Sequence, residues 1–399
     1  MLIELSTNSL ANGGSAVGRY ENRAVFVRGA LPGEAVRARV VKDKGSYWHA
    51  DLVEVLEASP HRRPSLCPVA EKGDSGCCDL AFLDPDAARA LKGGVASEQL
   101  ARLGGVEWAG EAEALGGPTG WRTRTRLAVD ASGRAGFHRY HSKDLAAGLD
   151  CPQPVPGALD GLAERRFPAG AELLVVVDDE GTRHVQLTDP KSPQTGRGSA
   201  RGRGSVRRGR RRLEGPGLAT QRVGDRTWWL PARAFWQPHR EAARRYAALV
   251  AEWAGDLPGA VAWDLYGGAG LFASVLASSV GPVGRVFTVD SAGASSRAAV
   301  DSLADLKQVE VLSGSTEKLL PDLPKAQIAV VDPPRAGAGR AVVAALAGTD
   351  RIIHVGCETA AFGRDVGLYV EHGYAVREIR VFDAFPLTHH MECVALLER

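Results

Sequence analysis

From about Leu230 onward, short apolar runs alternate with longer segments of helical character. The runs are Ala260–Leu265, Gly284–Val289, Gln308–Leu312, Ile328–Val331 and Ile352–Val355, followed by Arg377–Phe382 and Cys393–Leu397. Arg240–Trp253, rich in alanine and arginine, is predicted as a helix ahead of them. This alternation predicts an open, largely parallel α/β sheet. The first 59 residues read differently. Ala24–Val27, Ala35–Val41 and Ala50–Val55 are short strand patterns, and turns at Asn12-Gly13-Gly14, Pro32-Gly33 and Asp43-Lys44-Gly45 punctuate them, which suits a small barrel. Between these regions, residues 60–230 look mostly β. Asp84-Pro85 opens a helix there, Asp as cap and Pro at the first helical position. Trp121, Arg122, Arg124 and Arg126 open a strand, and Leu173–Val177 and His184–Leu187 add two more. Three regions are therefore expected: 1–59, 60–230 and 231–399.

The 399 residues carry a formal net charge of only +2, so no global excess of base marks a nucleic-acid binder. The distribution changes that picture. Lys191–Arg212 holds nine basic residues and no acidic one, in a background of Gly, Ser, Pro and Gln. Such a stretch cannot build a core and is expected to be a mobile basic loop, either a solvated linker or a tether for phosphate. In the barrel, Arg19, Arg37, Arg39, Lys42, Lys44, Tyr47 and Trp48 mix base with aromatics, as RNA-binding barrels do, with scattered surface charge as the alternative. No apolar run reaches membrane-spanning length and no charged segment leads into an apolar one at the N-terminus, so a soluble, cytoplasmic protein is expected. Six cysteines are too few for a disulfide scaffold in a chain of this length and are better read as metal ligands or catalytic groups.

The strand ending at Leu265 runs into Tyr266-Gly267-Gly268-Ala269-Gly270, and Asp290 ends the next strand. Glycines there let the backbone approach a ligand at the carboxyl edge of the sheet, and an acid on the neighbouring strand can bind ribose hydroxyls. Taken alone the loop also passes for a dinucleotide fingerprint. The fourth strand decides between these, because it ends in Asp332-Pro333-Pro334-Arg335. A carboxylate and two prolines serve no hydride transfer, but they can hold an acceptor base beside a methyl donor. Arg335 stands where enzymes that methylate exocyclic amines carry an aromatic. The next strand ends in Gly356-Cys357-Glu358, and Glu392 precedes the closing strand. A nucleophilic thiol and a carboxylate base thus fall at the same edge.

Together, Phe235-Trp236-Gln237-Pro238, Asp264 to Gly270, Asp332 to Arg335, Cys357 with Arg364-Asp365, and Phe382-Asp383-x-Phe385-Pro386-x-Thr388-His389-His390-x-Glu392 resemble the RNA uracil-C5 methyltransferases. The N-terminal region resembles a TRAM domain, an OB-like barrel, with Gly18-Arg19 and Ala30-Leu31-Pro32-Gly33-Glu34 in the expected places. The resemblance implies a Rossmann-like class I methyltransferase domain that uses S-adenosylmethionine. It implies Cys357 as the nucleophile at carbon 6 of uracil and Glu392 as the base that removes the proton from carbon 5. Gln237, Tyr266, Gly268, Gly270, Asp290, Ser315 and Asp332 would line the cofactor and uracil pocket, and Arg364 and Asp365 would fix the helix after the nucleophile. It further implies a monomer acting on structured RNA, ribosomal RNA rather than transfer RNA. Relatives with a TRAM domain often hold a [4Fe–4S] cluster on four thiolates, so Cys67, Cys77, Cys78 and Cys151 become ligand candidates, with zinc or no metal as alternatives.

The chain also departs from the pattern. Asp290 stands where many members have Glu, and Thr359 where Pro is usual. Ser75-Gly76-Cys77-Cys78 replaces a Cys-x-x-Cys pair. Cytosine-C5 methylation would need a second cysteine at the Asp-Pro-Pro motif, which is lacking. A catalytically silent RNA-binding protein is opposed by the intact Cys357 and Glu392.

Overall fold

The computed structural model describes residues 1–72, 76–146, 148–190 and 209–399. The chain divides into two compact units. The first gathers residues 1–66, 78–118 and 234–399, and the second 67–77 and 119–233. Residues 78–118, which the sequence pattern groups with the central region, thus cluster with the first unit.

Five strands close the barrel: β1 (Leu2–Leu10), β2 (Ala16–Tyr20), β3 (Arg23–Arg28), β4 (Ala35–Asp43) and β5 (Tyr47–Glu57). Their order is β1-β2-β3-β5-β4, with β3 and β5 parallel and the other pairs antiparallel. Alternation places Ile3, Leu5, Val25, Val27, Val36, Ala38 and Ala50 inside. Trp48 also lies in this core, so it is not an RNA-facing aromatic as its sequence context suggested. Arg37 is paired with Glu4 and Glu54, whereas Arg19, Arg39, Lys42 and Lys44 are exposed. The fully buried Glu34 ties down the Ala30–Glu34 loop. It accepts from the backbone of Leu31 at 2.8 Å and from Arg62 Nε and Nη2 at 2.5 and 2.7 Å. A buried carboxylate is tolerable there because its oxygens are met by a cation and by N–H groups.

The short β6 (Glu113–Ala114) belongs to the large sheet of the first unit. In the second unit, β7 (Arg124–Val129), β8 (Ala135–Gly136), β9 (Glu172–Val177), β10 (Arg183–Thr188) and β11 (Arg210–Glu214) form an antiparallel sheet ordered β11-β10-β9-β7-β8. Leu127, Leu173, Val175, Val185 and Leu187 fill its core. A separate hairpin pairs β12 (Leu218–Val223) with β13 (Arg226–Pro231). The expectation of one mobile basic loop over Lys191–Arg212 is corrected at its end. Arg210, Arg211 and Arg212 are strand residues, paired in register with Thr188, Leu187 and Gln186. Residues 191–208 lie outside the described part.

The remaining strands are β14 (Val261–Leu265), β15 (Arg285–Asp290), β16 (Val309–Ser313), β17 (Ile328–Val331), β18 (Arg351–Gly356), β19 (Ala375–Asp383) and β20 (Glu392–Glu398). The eight-stranded sheet runs β16-β15-β14-β17-β18-β20-β19-β6. β14 to β18 are parallel, and β20 inserts antiparallel between β18 and β19. The strand order reverses at β14, so the carboxyl ends of β14 and β17 flank the crevice where such sheets bind ligands. Glu392 is the first residue of β20 rather than a residue ahead of it, because its backbone already pairs with Phe382. The helix Pro85–Gln99 starts as its sequence predicts: Asp84 accepts from the Asp86 and Ala87 amides. It turns Ala88, Val95 and Ala96 into the same core as Val331, Ile352, Phe362 and Cys393. Leu10 and Leu31 of the barrel region share that core, which makes barrel and sheet one packed body.

Candidate active site

The loop after β14 requires left-handed backbone at Tyr266, Gly268 and Gly270 (φ 63°, 57° and 79°). Only glycine fits at 267, where a Cβ would run into Thr288 Oγ1 and the Asp264 carboxylate. Asp264 is fully buried. One oxygen accepts from Thr288 Oγ1 and the Ala273 amide, both at 3.0 Å, and the other has no partner. Burial above all pushes its pKa up to about 7. Asp290, ending β15, accepts from the Gly268 amide at 3.0 Å and the Ala292 amide at 2.5 Å. The Tyr266 hydroxyl donates to Glu317 at 3.3 Å, and Ser315 donates to the same carboxylate. Gln237 is buried just ahead of the helix Ala242–Ala254. Tyr266, Gly268, Gly270, Asp290, Ser315 and Asp332 thus stand at or after the carboxyl ends of β14 to β17, whereas Gln237 lies ahead of the helix Ala242–Ala254.

The chemistry-bearing groups converge one strand over. Val331 pairs with His354 across β17 and β18, so Asp332 and the end of β18 share one edge. Gly356 pairs with Cys393 across β18 and β20, which sets Cys357 beside Glu392. Cys357 is partly exposed, while Glu392 is buried. Burial, then the nearby Glu392 and Asp332 carboxylates, push the Cys357 thiol up to about 12, opposed by Arg335. Asp332 rises to about 7 through burial and the Asp290 charge. Glu392 is held well above the usual carboxylate range, by burial first and then by Asp332. Three acidic groups crowded into one low-dielectric corner thus oppose one another's ionisation.

Further residues hold this corner, and of these Lys92 and Tyr246 were not singled out by sequence patterns. Glu358 caps the helix Thr359–Glu371, accepting from the Ala361 amide at 2.8 Å. Buried Asp365 accepts from the Ala338 amide at 2.6 Å, and Arg364 donates to the Ala336 carbonyl at 2.6 Å. These two residues thereby clamp the loop that follows Asp332–Arg335. Lys92, fully buried, donates to Asp383 at 2.6 Å and to the His390 and Phe385 carbonyls at 2.8 and 3.3 Å, bracing the segment that leads to Glu392. Tyr246 is buried with its hydroxyl unpartnered, and its ionisation is opposed by burial and then by Glu392 and Asp332. An aromatic at helical spacing gave no hint of this, because only the tertiary packing selects which face of the helix meets the site.

The cysteines are distributed unevenly. Cys67, Cys77 and Cys151 fall in the second unit and Cys78 in the first. Burial, then the Cys77 and Cys67 charges, push Cys151 up to about 12. Among the described residues, no three His, Cys, Asp or Glu side chains are gathered closely enough to hold a metal ion. Ser75 lies outside the described part.

Comparison with known proteins bears on this geometry. The family model described as tRNA (Uracil-5-)-methyltransferase matches residues 320–399, and the TRAM domain model matches residues 2–53. An uncharacterized RNA methyltransferase of Corynebacterium efficiens is 40% identical over 409 residues, covering 98% of this chain and 93% of the relative. A 23S rRNA (uracil(1939)-C(5))-methyltransferase of Pseudomonas fluorescens is 31% identical, covering 99% of this chain and 93% of that one. The chain belongs to the RNA (uracil-C5) methyltransferase family. Its fold is that of the crystal structure of the Pyrococcus abyssi tRNA (uracil-54, C5)-methyltransferase in complex with S-adenosyl-L-homocysteine, with a TM-score of 0.73, 20% identity and coverage of 99% of this chain and 100% of that one. The N-terminal barrel is a TRAM domain. Members of this family depend on S-adenosylmethionine, and the loop fits such a ligand: a left-handed glycine cradle, a partnerless buried oxygen on Asp264, and Asp290 beside it.

Proposed function

We propose that this enzyme methylates carbon 5 of a uridine in 23S ribosomal RNA, in the cytoplasm, through a covalent adduct on Cys357. The observation that carries the proposal is the register of β18 on β20, which puts Cys357 and Glu392 side by side, with Asp332 facing both. S-adenosylmethionine supplies the methyl group and, as a sulfonium, a positive charge. Tyr266, Gly268, Gly270, Asp290 and Ser315 would hold it, with Gln237 and Asp332 towards the base. A cation near Asp332 relieves the crowding of negative charge and favours the Cys357 thiolate. The thiolate bonds to carbon 6 and sends the ring electrons to the carbon 4 oxygen. Carbon 5, now an enolate carbon, takes the methyl group. Glu392 then removes the proton from carbon 5, the carbon 5–carbon 6 double bond re-forms, and the sulfur leaves with its electron pair.

Ribosomal rather than transfer RNA is favoured by the 31% identity to the Pseudomonas fluorescens enzyme over nearly the whole chain. Mapping 5-methyluridine in a deletion strain tests this. The expected result is loss of 5-methyluridine from 23S RNA with transfer RNA unchanged. Loss from transfer RNA alone overturns the substrate, and unaltered RNA of both kinds overturns the activity.

A [4Fe–4S] cluster on Cys67, Cys77, Cys78 and Cys151 is a separate proposal that rests on the resemblance to cluster-bearing relatives alone, since the described side chains gather no metal-binding group. Protein purified without oxygen should be brown and lose its broad visible absorption on Cys151→Ser. Colourless, iron-free protein disproves it.

A further inference from the structure

The turn between β1 and β2 touches both loops that carry the proposed catalytic groups. The turn is rigid: the Gly13 and Gly14 amides donate to the Ala11 carbonyl at 2.7 and 3.0 Å, and the Ala11 amide to Ser15 at 2.9 Å. From it, Asn12 Nδ2 donates to Glu358 Oε1 at 3.0 Å across 346 residues of sequence. Glu358 directly follows Cys357, and its second oxygen caps the next helix through the Ala361 amide. The same carboxylate thus joins the barrel, the nucleophile loop and a helix end. Two residues further on, Gly14 lies against Asp79 and His389, so closely that a Cβ would meet the Asp79 carboxylate and come within 3.0 Å of His389 Cβ. Asp79 in turn holds the His389 ring at 2.6 Å and its amide at 2.9 Å, three residues before Glu392.

We infer that this barrel turn is a positioning element of the active centre, with Asn12 setting the loop that presents Cys357. The inference rests on the assignment of Cys357 as nucleophile. The barrel is accordingly more than an RNA-holding appendage, because its seating fixes where the thiol points. A donor is required at 12 because two acceptor oxygens are already present on Glu358, one of them committed to the helix cap. Misplacement of a reacting atom by about 1 Å can cost on the order of 10²-fold in rate.

The test uses the full-length enzyme with saturating RNA and S-adenosylmethionine. Asn12→Asp sets a carboxylate against a carboxylate and should lower kcat by roughly tenfold to a hundredfold. The Kd for S-adenosylmethionine, which reports the intact fold, and the Kd for RNA should stay within about twofold in this comparison. Asn12→Ala, which removes the hydrogen bond without repulsion, should fall in between. The double variant N12D/E358Q restores a donor–acceptor pair with the polarity reversed: the glutamine amide donates to the new carboxylate while its oxygen still caps the helix. Recovery of kcat to within about threefold of the wild type is the expected result. An undiminished kcat in Asn12→Asp, a loss confined to RNA affinity, or failure of the swap to recover the rate overturns the inference. Cys357→Ala in the same assay separates the two claims. Turnover by that variant overturns the nucleophile assignment, whereas a silent Cys357→Ala beside a fully active Asn12→Asp overturns only the role of the turn.

Discussion

Replacing Cys357 by alanine is expected to abolish methyl transfer and leave the fold standing. The thiol follows directly on β18 and is partly exposed, so its loss opens no cavity in the core. The melting temperature should therefore move by no more than a few degrees, roughly the effect of a surface change. Turnover, by contrast, should fall on the order of 10⁴-fold or more, because carbon 5 of uracil is unreactive until a nucleophile adds at carbon 6. RNA containing 5-fluorouridine makes the step visible. Fluorine cannot leave as a cation, so the wild type should trap a protein–RNA adduct on a denaturing gel, and the variant should not. The electrostatics add a pH dependence. With the thiol held up to about 12, the thiolate is a minority species at neutral pH. It grows as pH rises towards that value, so adduct formation at limiting RNA should increase with pH between roughly 7 and 9. Near-normal turnover by the alanine variant would disprove the covalent mechanism.

Glu392→Gln should fail at a different step. The substitution keeps size and hydrogen-bonding capacity while removing a buried acid crowded by Asp332, so folding should not suffer. Thiolate addition and methyl transfer precede the need for a base, and both should still occur. Proton removal from carbon 5 should then stall, and a methylated adduct should accumulate with natural uridine RNA. The high pKa that burial imposes on Glu392 makes it a strong base once ionised, and a positioned base contributes roughly 10²–10⁴-fold, so slow leakage to product is expected. Labelled methyl groups running with the slow protein–RNA band are the positive signature. An adduct that carries no methyl label, or wild-type turnover, would place the base elsewhere.

How much of this was legible in the sequence follows from the range of the contacts. The strands β14 to β18 were, because a parallel sheet buried on both faces writes itself as continuous apolar runs. Asp332, Cys357 and Glu392 were too, because each lies at a strand end and the strand order decides which ends meet. Lys92 was hidden: a lysine in a helix reads as solvated, and its three acceptors lie about 290 to 300 positions downstream. The same holds for Asn12 and Glu358, which look like a turn residue and a charged loop residue until the fold joins them. Trp48 misled in the opposite sense, since flanking Arg and Lys disguised a core aromatic. Grouping 78–118 with the central region reflects the same limit: the helix Pro85–Gln99 is amphipathic, but nothing local names the core it covers.

The placement of β20 has a consequence for biosynthesis. This strand sits between β18 and β19, so each keeps one edge unpaired until the segment from Glu392 onward has been made. A nascent chain halted before that point carries Cys357 but lacks the proposed base, and its sheet is split along an unpaired seam. The sheet and the proposed catalytic pair are therefore completed by one and the same strand.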